Sequence, residues 1–147
     1  LPGQPFDTVL IDRFDIRKSK RMDGDGESLW VKPHTYLEDW DEITEQVIDK
    51  EYPLCDGSGR MMAIRFVGCD SGGKEGVTTM AYNYYRRLKE QNKHRRFILT
   101  KGDHLPNIPR ARITYPDSSR KDSKAGARGD IPLLLLNSNV PPTRKLF

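Results

Sequence analysis

The sequence contains few cysteines and no long apolar run. Cys55 and Cys69 are the two cysteines among 147 residues, which excludes a disulfide framework and a zinc site built from four cysteines. No apolar run approaches the roughly 20 residues that span a bilayer. The first residues, Leu-Pro-Gly-Gln-Pro, have neither the basic nor the apolar region of a secretory signal. These absences predict a soluble protein of a reducing cytoplasm, without a membrane partner.

Apolar side chains are also scarce overall. They make up 35% of the residues, charged side chains make up 31%, and the mean hydropathy is −0.74. The length of 147 residues is that of one domain. We therefore expect one domain with a small core and long polar loops. Because the chain begins with Leu1 rather than Met, we interpret it as a piece of a longer protein.

Charge is distributed unevenly along the chain. Residues 1–56 hold 14 acidic and 7 basic side chains, whereas residues 57–147 hold 7 acidic and 18 basic ones. A concentrated positive field favours a polyanion such as nucleic acid; the alternative is a solvated surface that keeps the protein in solution. The candidate DNA-binding residues are Lys74, Arg86, Arg87, Lys93, Arg95, Arg96, Arg120, Lys121, Lys124 and Arg128.

Hydrophobic spacing predicts alternating helices and strands. Helices are expected at residues 36–50 and 75–91, where Tyr84 and Tyr85 belong to the buried stripe, with a base-stacking role as the alternative. We predict a hairpin tip or loop at 17–27 and a polar loop at 116–129. The predicted strands cover residues 7–16, 61–69, 96–100, 111–115 and 131–137. This order predicts an α/β sheet with parallel neighbours.

The tetrad Asp70-Ser71-Gly72-Gly73 joins the apolar strand 61–69 to the following helix. A carboxylate at a strand end beside glycines can place a metal ligand where backbone approaches a phosphate. The structural alternative is a turn that merely caps the helix. A third interpretation is a nucleotide-binding P-loop, since residues 68–74 satisfy its first seven positions. Glu75 occupies the eighth, however, where a hydroxyl should hold magnesium.

The order of motifs resembles the C-terminal nuclease domain of the large terminase subunit of lambda-type tailed phages. The resemblance runs from about Gly3 to Asn139. It includes Leu-Ile-Asp-Arg at residues 10–13, a helix that bears Trp40, the Asp-Ser-Gly-Gly tetrad, a tyrosine-rich helix and a strand that leads into Lys101-Gly102. Each motif is unspecific alone, and the order carries the resemblance.

The resemblance implies an RNase H-like mixed sheet flanked by helices and a metal-dependent endonuclease that cuts concatemeric double-stranded DNA in a bacterial host cell. Asp70 matches an acidic Mg²⁺ or Mn²⁺ ligand of the family. Lys101 matches its Lys-Gly motif, where an ammonium offsets charge at the scissile phosphate; the alternative is an ordinary exposed lysine. Other terminase subunits or the portal would be further partners. The site loops comprise Ser71, Gly72, Gly73 and Gly102.

The chain also departs from the family pattern. We expect residues 1–139 to be a partial nuclease domain and residues 140–147 to be a tail. A first strand with another acidic ligand should precede Leu1, and a late aspartate is absent after Asn139. With one of the family's acidic ligands present, metal binding should be weak. The alternative function is therefore a non-catalytic module, a prophage remnant that binds DNA or a packaging partner.

Overall fold

The computed structural model of the chain describes residues 8–106, 108–118 and 129–139. The residues group into two compact units, one up to Val31 and one from Lys32 onward. Among the helices of the described ranges, none combines the length and apolar character needed to cross a bilayer.

The first unit contains a β-hairpin. Its antiparallel strands are β1 (Lys18–Met22) and β2 (Ser28–Trp30). In the turn, the Asp23 carboxylate accepts hydrogen bonds of 2.9 Å from two backbone N–H groups. The hairpin tip predicted at 17–27 is confirmed for residues 23–27, whereas residues 18–22 of that range form β1. The strand predicted at residues 7–16 is wrong for its described part, because residues 8–17 lie outside every sheet. Alternating apolar residues form a strand only where a second strand bonds to their backbone.

The second unit begins with a short helical segment and a second hairpin. The segment consists of a 3₁₀ turn (Leu37–Trp40), the helix α1 (Asp41–Ile43) and a π turn (Thr44–Ile48). It confirms the helix predicted at 36–50, although its geometry is irregular. Strands β3 (Glu51–Pro53) and β4 (Met61–Ala63) then pair antiparallel.

A four-stranded mixed sheet forms the centre of this unit. It contains β5 (Val67–Asp70), β6 (Phe97–Asp103), β7 (Ala111–Thr114) and β8 (Leu133–Asn137), in the order β5-β6-β8-β7. The β5-β6 and β6-β8 pairs are parallel and the β7-β8 pair is antiparallel. This mixed sheet confirms the predicted α/β class and is compatible with an RNase H-like fold.

The strand predicted at 61–69 requires a correction. It is interrupted after Ala63, so that β4 pairs with β3 while β5 belongs to the larger sheet. The Arg96 guanidinium donates a 2.9 Å hydrogen bond to the Ile64 carbonyl within the interruption. The chain thus changes sheets between Ala63 and Val67, and a long-range contact from Arg96 holds the connecting residues.

The larger sheet has one covered and one exposed face. Helix α2 (Val77–Glu90) packs on the covered face, where Tyr84 and Leu88 join Phe97 and Leu99 in the core. Because side chains alternate along a strand, the other face carries Asp70 and Thr100, which are register partners. It also carries Ile113 and Leu136, which are 54% and 45% exposed. We call these two sides the covered face and the exposed face.

Candidate functional site

Asp70 is the last residue of β5, and its side chain is exposed at the carboxyl end of the parallel strands. Its Oδ1 atom accepts a 2.9 Å hydrogen bond from the Gly72 N–H. The carboxylate therefore orders the turn and still faces solvent. The preceding Cys69 is an unreactive thiol, because burial raises its pKa to about 11.

Ser71 fixes the tetrad to the core. It is fully buried, and both its N–H and its hydroxyl donate to the Thr100 carbonyl, at 2.9 and 3.0 Å. The Thr78 hydroxyl of α2 donates to the Ser71 carbonyl at 2.8 Å. Strand β6, the tetrad and the first turn of α2 are thus joined directly behind the Asp70 carboxylate. Gly73 has φ +130°, a conformation that other residues rarely adopt.

Lys101 lies at the same end of the sheet but belongs to its other face. Asp70 is the register partner of Thr100, so the next residue of β6 points to the opposite side. Lys101 therefore shares the covered face with Leu99, where its side chain is exposed beyond the end of the core. The structure does not bring Asp70 and Lys101 together on one face.

The exposed face carries a histidine close to the strand ends. Gly102 follows Thr100 on this face, and a Cβ built on it would lie 3.8 Å from Cε1 and Nε2 of His104. The imidazole of His104 therefore lies over Gly102, on the face that bears Asp70. His104 is not among the candidate site residues predicted from the sequence. The usable signal was its position directly after a strand end, which becomes informative only when the register is known.

A polar network holds the turn that carries this histidine. Asp103 is buried and accepts hydrogen bonds from the Leu105 N–H at 3.2 Å and from Arg112 at 3.1 and 3.2 Å. The Asn137 amide donates to the Leu105 carbonyl at 2.8 Å, and the Asn139 amide donates to the His104 carbonyl at 3.3 Å. The backbone of the turn is thereby fixed from β6, β7 and β8. This network, too, was not predicted from the sequence.

Asp103 makes the stability of the fold depend on pH. The hydrogen bond from the Leu105 N–H, together with Arg112, holds the pKa of Asp103 below its ordinary value. A lowered folded-state pKa stabilises the fold above about pH 4, and this contribution is lost as the pH falls through the lowered value. We expect Asp103→Asn to destabilise the protein at pH 7, by a difference that shrinks on acidification. Urea unfolding at pH 2.5–7 measures it.

Asp25→Asn is the matched control for this experiment, since Asp25 lies in the exposed hairpin turn of the first unit. A destabilisation by Asp103→Asn that stays constant from pH 7 to pH 2.5 would contradict a stabilising role of the Asp103 charge. Protonation at low pH removes that charge from the unaltered chain as well.

The donor set at the strand ends does not make a metal site by itself. No group of three His, Cys, Asp or Glu side chains that could hold a metal occurs within the described ranges. The exposed Asp70 carboxylate fits as one oxygen ligand for a hard cation such as Mg²⁺. The other ligands of such a cation would have to come from groups other than the described His, Cys, Asp and Glu side chains.

The candidate DNA-binding residues lie in different environments. Arg87 forms an ion pair with Asp41, and Lys93 forms one with Asp49 at 2.6 Å. Arg96 bonds to the Ile64 carbonyl, as described above. The side chains of Lys74, Arg86 and Arg95 are exposed. The remaining candidates lie outside the described residues: Arg120, Lys121, Lys124 and Arg128.

Comparison with known families identifies the domain. The family model of the endonuclease domain of the terminase large subunit gpA matches residues 7–141, which is nearly the whole chain. The chain belongs to this terminase endonuclease family. No curated protein and no solved structure matches it significantly.

Membership of the terminase endonuclease family confirms the resemblance found in the sequence. It implies a DNA substrate and is consistent with a dependence on a divalent metal. The site assignments at Asp70 and Lys101 stay predictions, as do the DNA-binding residues, because the family match covers a range and gives no roles to individual side chains.

Proposed function

We propose that the chain is a metal-dependent endonuclease domain that cuts concatemeric double-stranded DNA during viral packaging. The supporting observation is that the residues matched by the family include Asp70, an exposed carboxylate at the end of strand β5. In this proposal Asp70 is a ligand for Mg²⁺ or Mn²⁺. Residues 1–139 form part of this domain, which works in the cytoplasm of a bacterial host with other terminase subunits or the portal as partners.

In the proposed reaction, a water oxygen bonds to phosphorus, one P–O bond to a sugar breaks, and the leaving sugar oxygen takes up a proton. A divalent cation supplies charge neutralisation at the phosphate when it is bound. The chain's part is to hold the Asp70 carboxylate in place through Ser71 and Thr100. The Gly72-Gly73 backbone lets the DNA approach closely, and the Lys101 ammonium reaches a phosphate from the other side of the strand ends.

Exposed basic residues would bind the DNA backbone beside this site. Lys74 follows the tetrad directly, and Arg86 and Arg95 are exposed on or after α2. Contacts to phosphates fix the position of a duplex without reading its sequence. Their contribution should fall steeply with added salt because bound counterions are released from the DNA.

Plasmid nicking tests the proposal. The purified chain should convert supercoiled plasmid to nicked and linear forms when Mn²⁺ or Mg²⁺ is present, and EDTA should stop the conversion. Absence of cutting at every concentration of either metal would refute the proposed activity of this chain.

One observation favours a second candidate, a non-catalytic DNA- or partner-binding module derived from a prophage. Within the described residues, Asp70 is not joined by two further ligands. A binding module would retain plasmid in a gel-shift assay without cutting it, and raised salt would abolish the retention.

A further inference from the structure

Besides Asp70, the exposed face of the sheet carries His104, whose imidazole can donate a hydrogen bond to a phosphate. We propose that the His104 imidazole donates a hydrogen bond to a phosphate oxygen of the DNA bound at Asp70. The inference rests on the proposed nuclease function. It adds a phosphate-contacting residue that the sequence motifs did not include.

The register of the sheet places the two side chains on one side. Asp70 pairs with Thr100 in β6, and Gly102 is two residues farther along β6, on the same face. Diagonal neighbours of this kind on adjacent strands have Cα atoms on the order of 8 Å apart. The His104 ring lies 3.8 Å from the position of a Gly102 Cβ. Asp70 and His104 therefore lie at two neighbouring strand ends on the exposed face.

Glycines reduce the number of side chains on this part of the exposed face, which also carries the Thr100 side chain. Gly102 lies between His104 and Thr100, and Gly72 and Gly73 follow Asp70 in the tetrad. Gly68 precedes Asp70 on the same face, where an added Cβ would contact the Thr100 methyl group at 3.5 Å. Close approach of a nucleic-acid backbone requires such a surface.

The turn that carries His104 is fixed while its imidazole is exposed. The side-chain amides of Asn137 and Asn139 donate hydrogen bonds to the carbonyls of Leu105 and His104 respectively. The Asp103 carboxylate accepts one from the Leu105 N–H. Asn137 is 2% exposed, so this support comes from the core. A rigid backbone that presents an exposed side chain is the arrangement that substrate-contacting residues require. Imidazole nitrogens donate readily to phosphate oxygens.

Lys101 is less well placed for this contact. It lies on the covered face, whereas His104 lies on the same face as Asp70 at the strand ends. We therefore expect the contact at His104 to be more sensitive to substitution than any contact at Lys101.

Duplex binding without metal tests the inference independently of catalysis. We expect His104→Ala to weaken binding of a 20-base-pair duplex in EDTA roughly tenfold, as the loss of a hydrogen bond to a charged group predicts. His104→Gln, which keeps an N–H donor, should recover part of the affinity. Leu105→Ala is the matched control, because Leu105 lies in the same turn and its side chain is 55% exposed. Fluorescence anisotropy measures the dissociation constants.

Imidazole NMR resonances provide a readout on the unaltered chain. The protein has three histidines. His94 serves as the internal reference, because its Nδ1 atom is buried and its ring packs against Tyr85. Adding the metal-free duplex should shift the His104 resonances and leave those of His94 in place. This measurement decides the inference even if His104→Ala does not fold.

The outcomes separate the two proposals. If the unaltered chain cuts DNA and His104→Ala binds and cuts equally well, the inference is wrong and the nuclease proposal stands. If the unaltered chain cuts nothing but His104→Ala loses affinity, the phosphate contact is supported and hydrolysis is refuted. Equal duplex affinity of both chains, with unshifted His104 resonances, overturns the inference whatever the cutting assay shows.

Discussion

Asp70→Asn is expected to abolish metal-dependent nicking while leaving the fold intact. The amide oxygen of asparagine can still accept the hydrogen bond from the Gly72 N–H, which the Asp70 carboxylate accepts at 2.9 Å. The turn is therefore kept, but the charge that binds a divalent cation is lost. Since a bound cation contributes several kcal/mol to stabilising the reaction's transition state, we expect the nicking rate to fall by about 100-fold or more.

Asp70→Ala separates catalysis from turn formation. It removes both the charge and the hydrogen bond, so its activity should be as low as that of Asp70→Asn and its stability about 1 kcal/mol lower. Initial nicking rates in Mn²⁺ and urea unfolding curves of both variants provide the comparison. If Asp70→Asn cuts at the unaltered rate and only Asp70→Ala fails, Asp70 is a turn residue, and the nuclease site lies elsewhere.

Tyr84→Ala is expected to give a large loss of stability. The Tyr84 side chain is fully buried. Its ring contacts Trp40 and Phe97 with centroid distances of 5.5 Å each. Its hydroxyl shares a 2.7 Å hydrogen bond with Thr44. Loss of a buried aromatic ring leaves a cavity and costs about 3–5 kcal/mol, which is a large part of the stability of a small domain.

Tyr84→Phe and Thr44→Val dissect the hydroxyl pair. Either single variant leaves one buried hydroxyl without its partner and should cost about 1–3 kcal/mol, whereas the double variant should lose less than the sum. Urea unfolding of the four chains gives the coupling free energy. Strict additivity of the two substitutions would show that the hydroxyls do not depend on each other.

Much of the fold could be predicted from local patterns. The spacing of apolar residues from Val77 to Leu88 predicted α2 because one stripe faces the sheet. The strands after it were predicted within a few residues, with β6 longer than expected because it continues to Asp103. Each of these elements buries side chains with the period of its own secondary structure, which a local pattern contains.

Two strand predictions failed because their outcome depends on distant partners. Residues 64–66 contain neither glycine nor proline, and the break there coincides with a bond from Arg96, 32 positions away. Residues 8–17 have a suitable alternation but lie outside every described sheet. A local pattern specifies which face is apolar, and it does not specify which strand will pair.

The site was predictable only in part, for the same reason. The tetrad made Asp70 a candidate ligand because a strand, a carboxylate and two glycines are adjacent in sequence. The Asp103–Arg112 pair joins β6 to β7, and the Asn137 amide joins β8 to the turn after β6. Which residues face Asp70 depends on the register of β5 against β6, and no sequence pattern encodes that register directly.

The hydrogen bonds of Ser71 also have a mechanical consequence. Ser71 is hydrogen-bonded to Thr100 in β6 and to Thr78 in α2. A shift of the helix along the sheet would therefore also move the adjacent Asp70. Core substitutions that weaken these hydrogen bonds should therefore displace the Asp70 carboxylate before they unfold the protein. The nicking rate of the proposed nuclease would then fall at substitutions that leave its melting temperature almost unchanged.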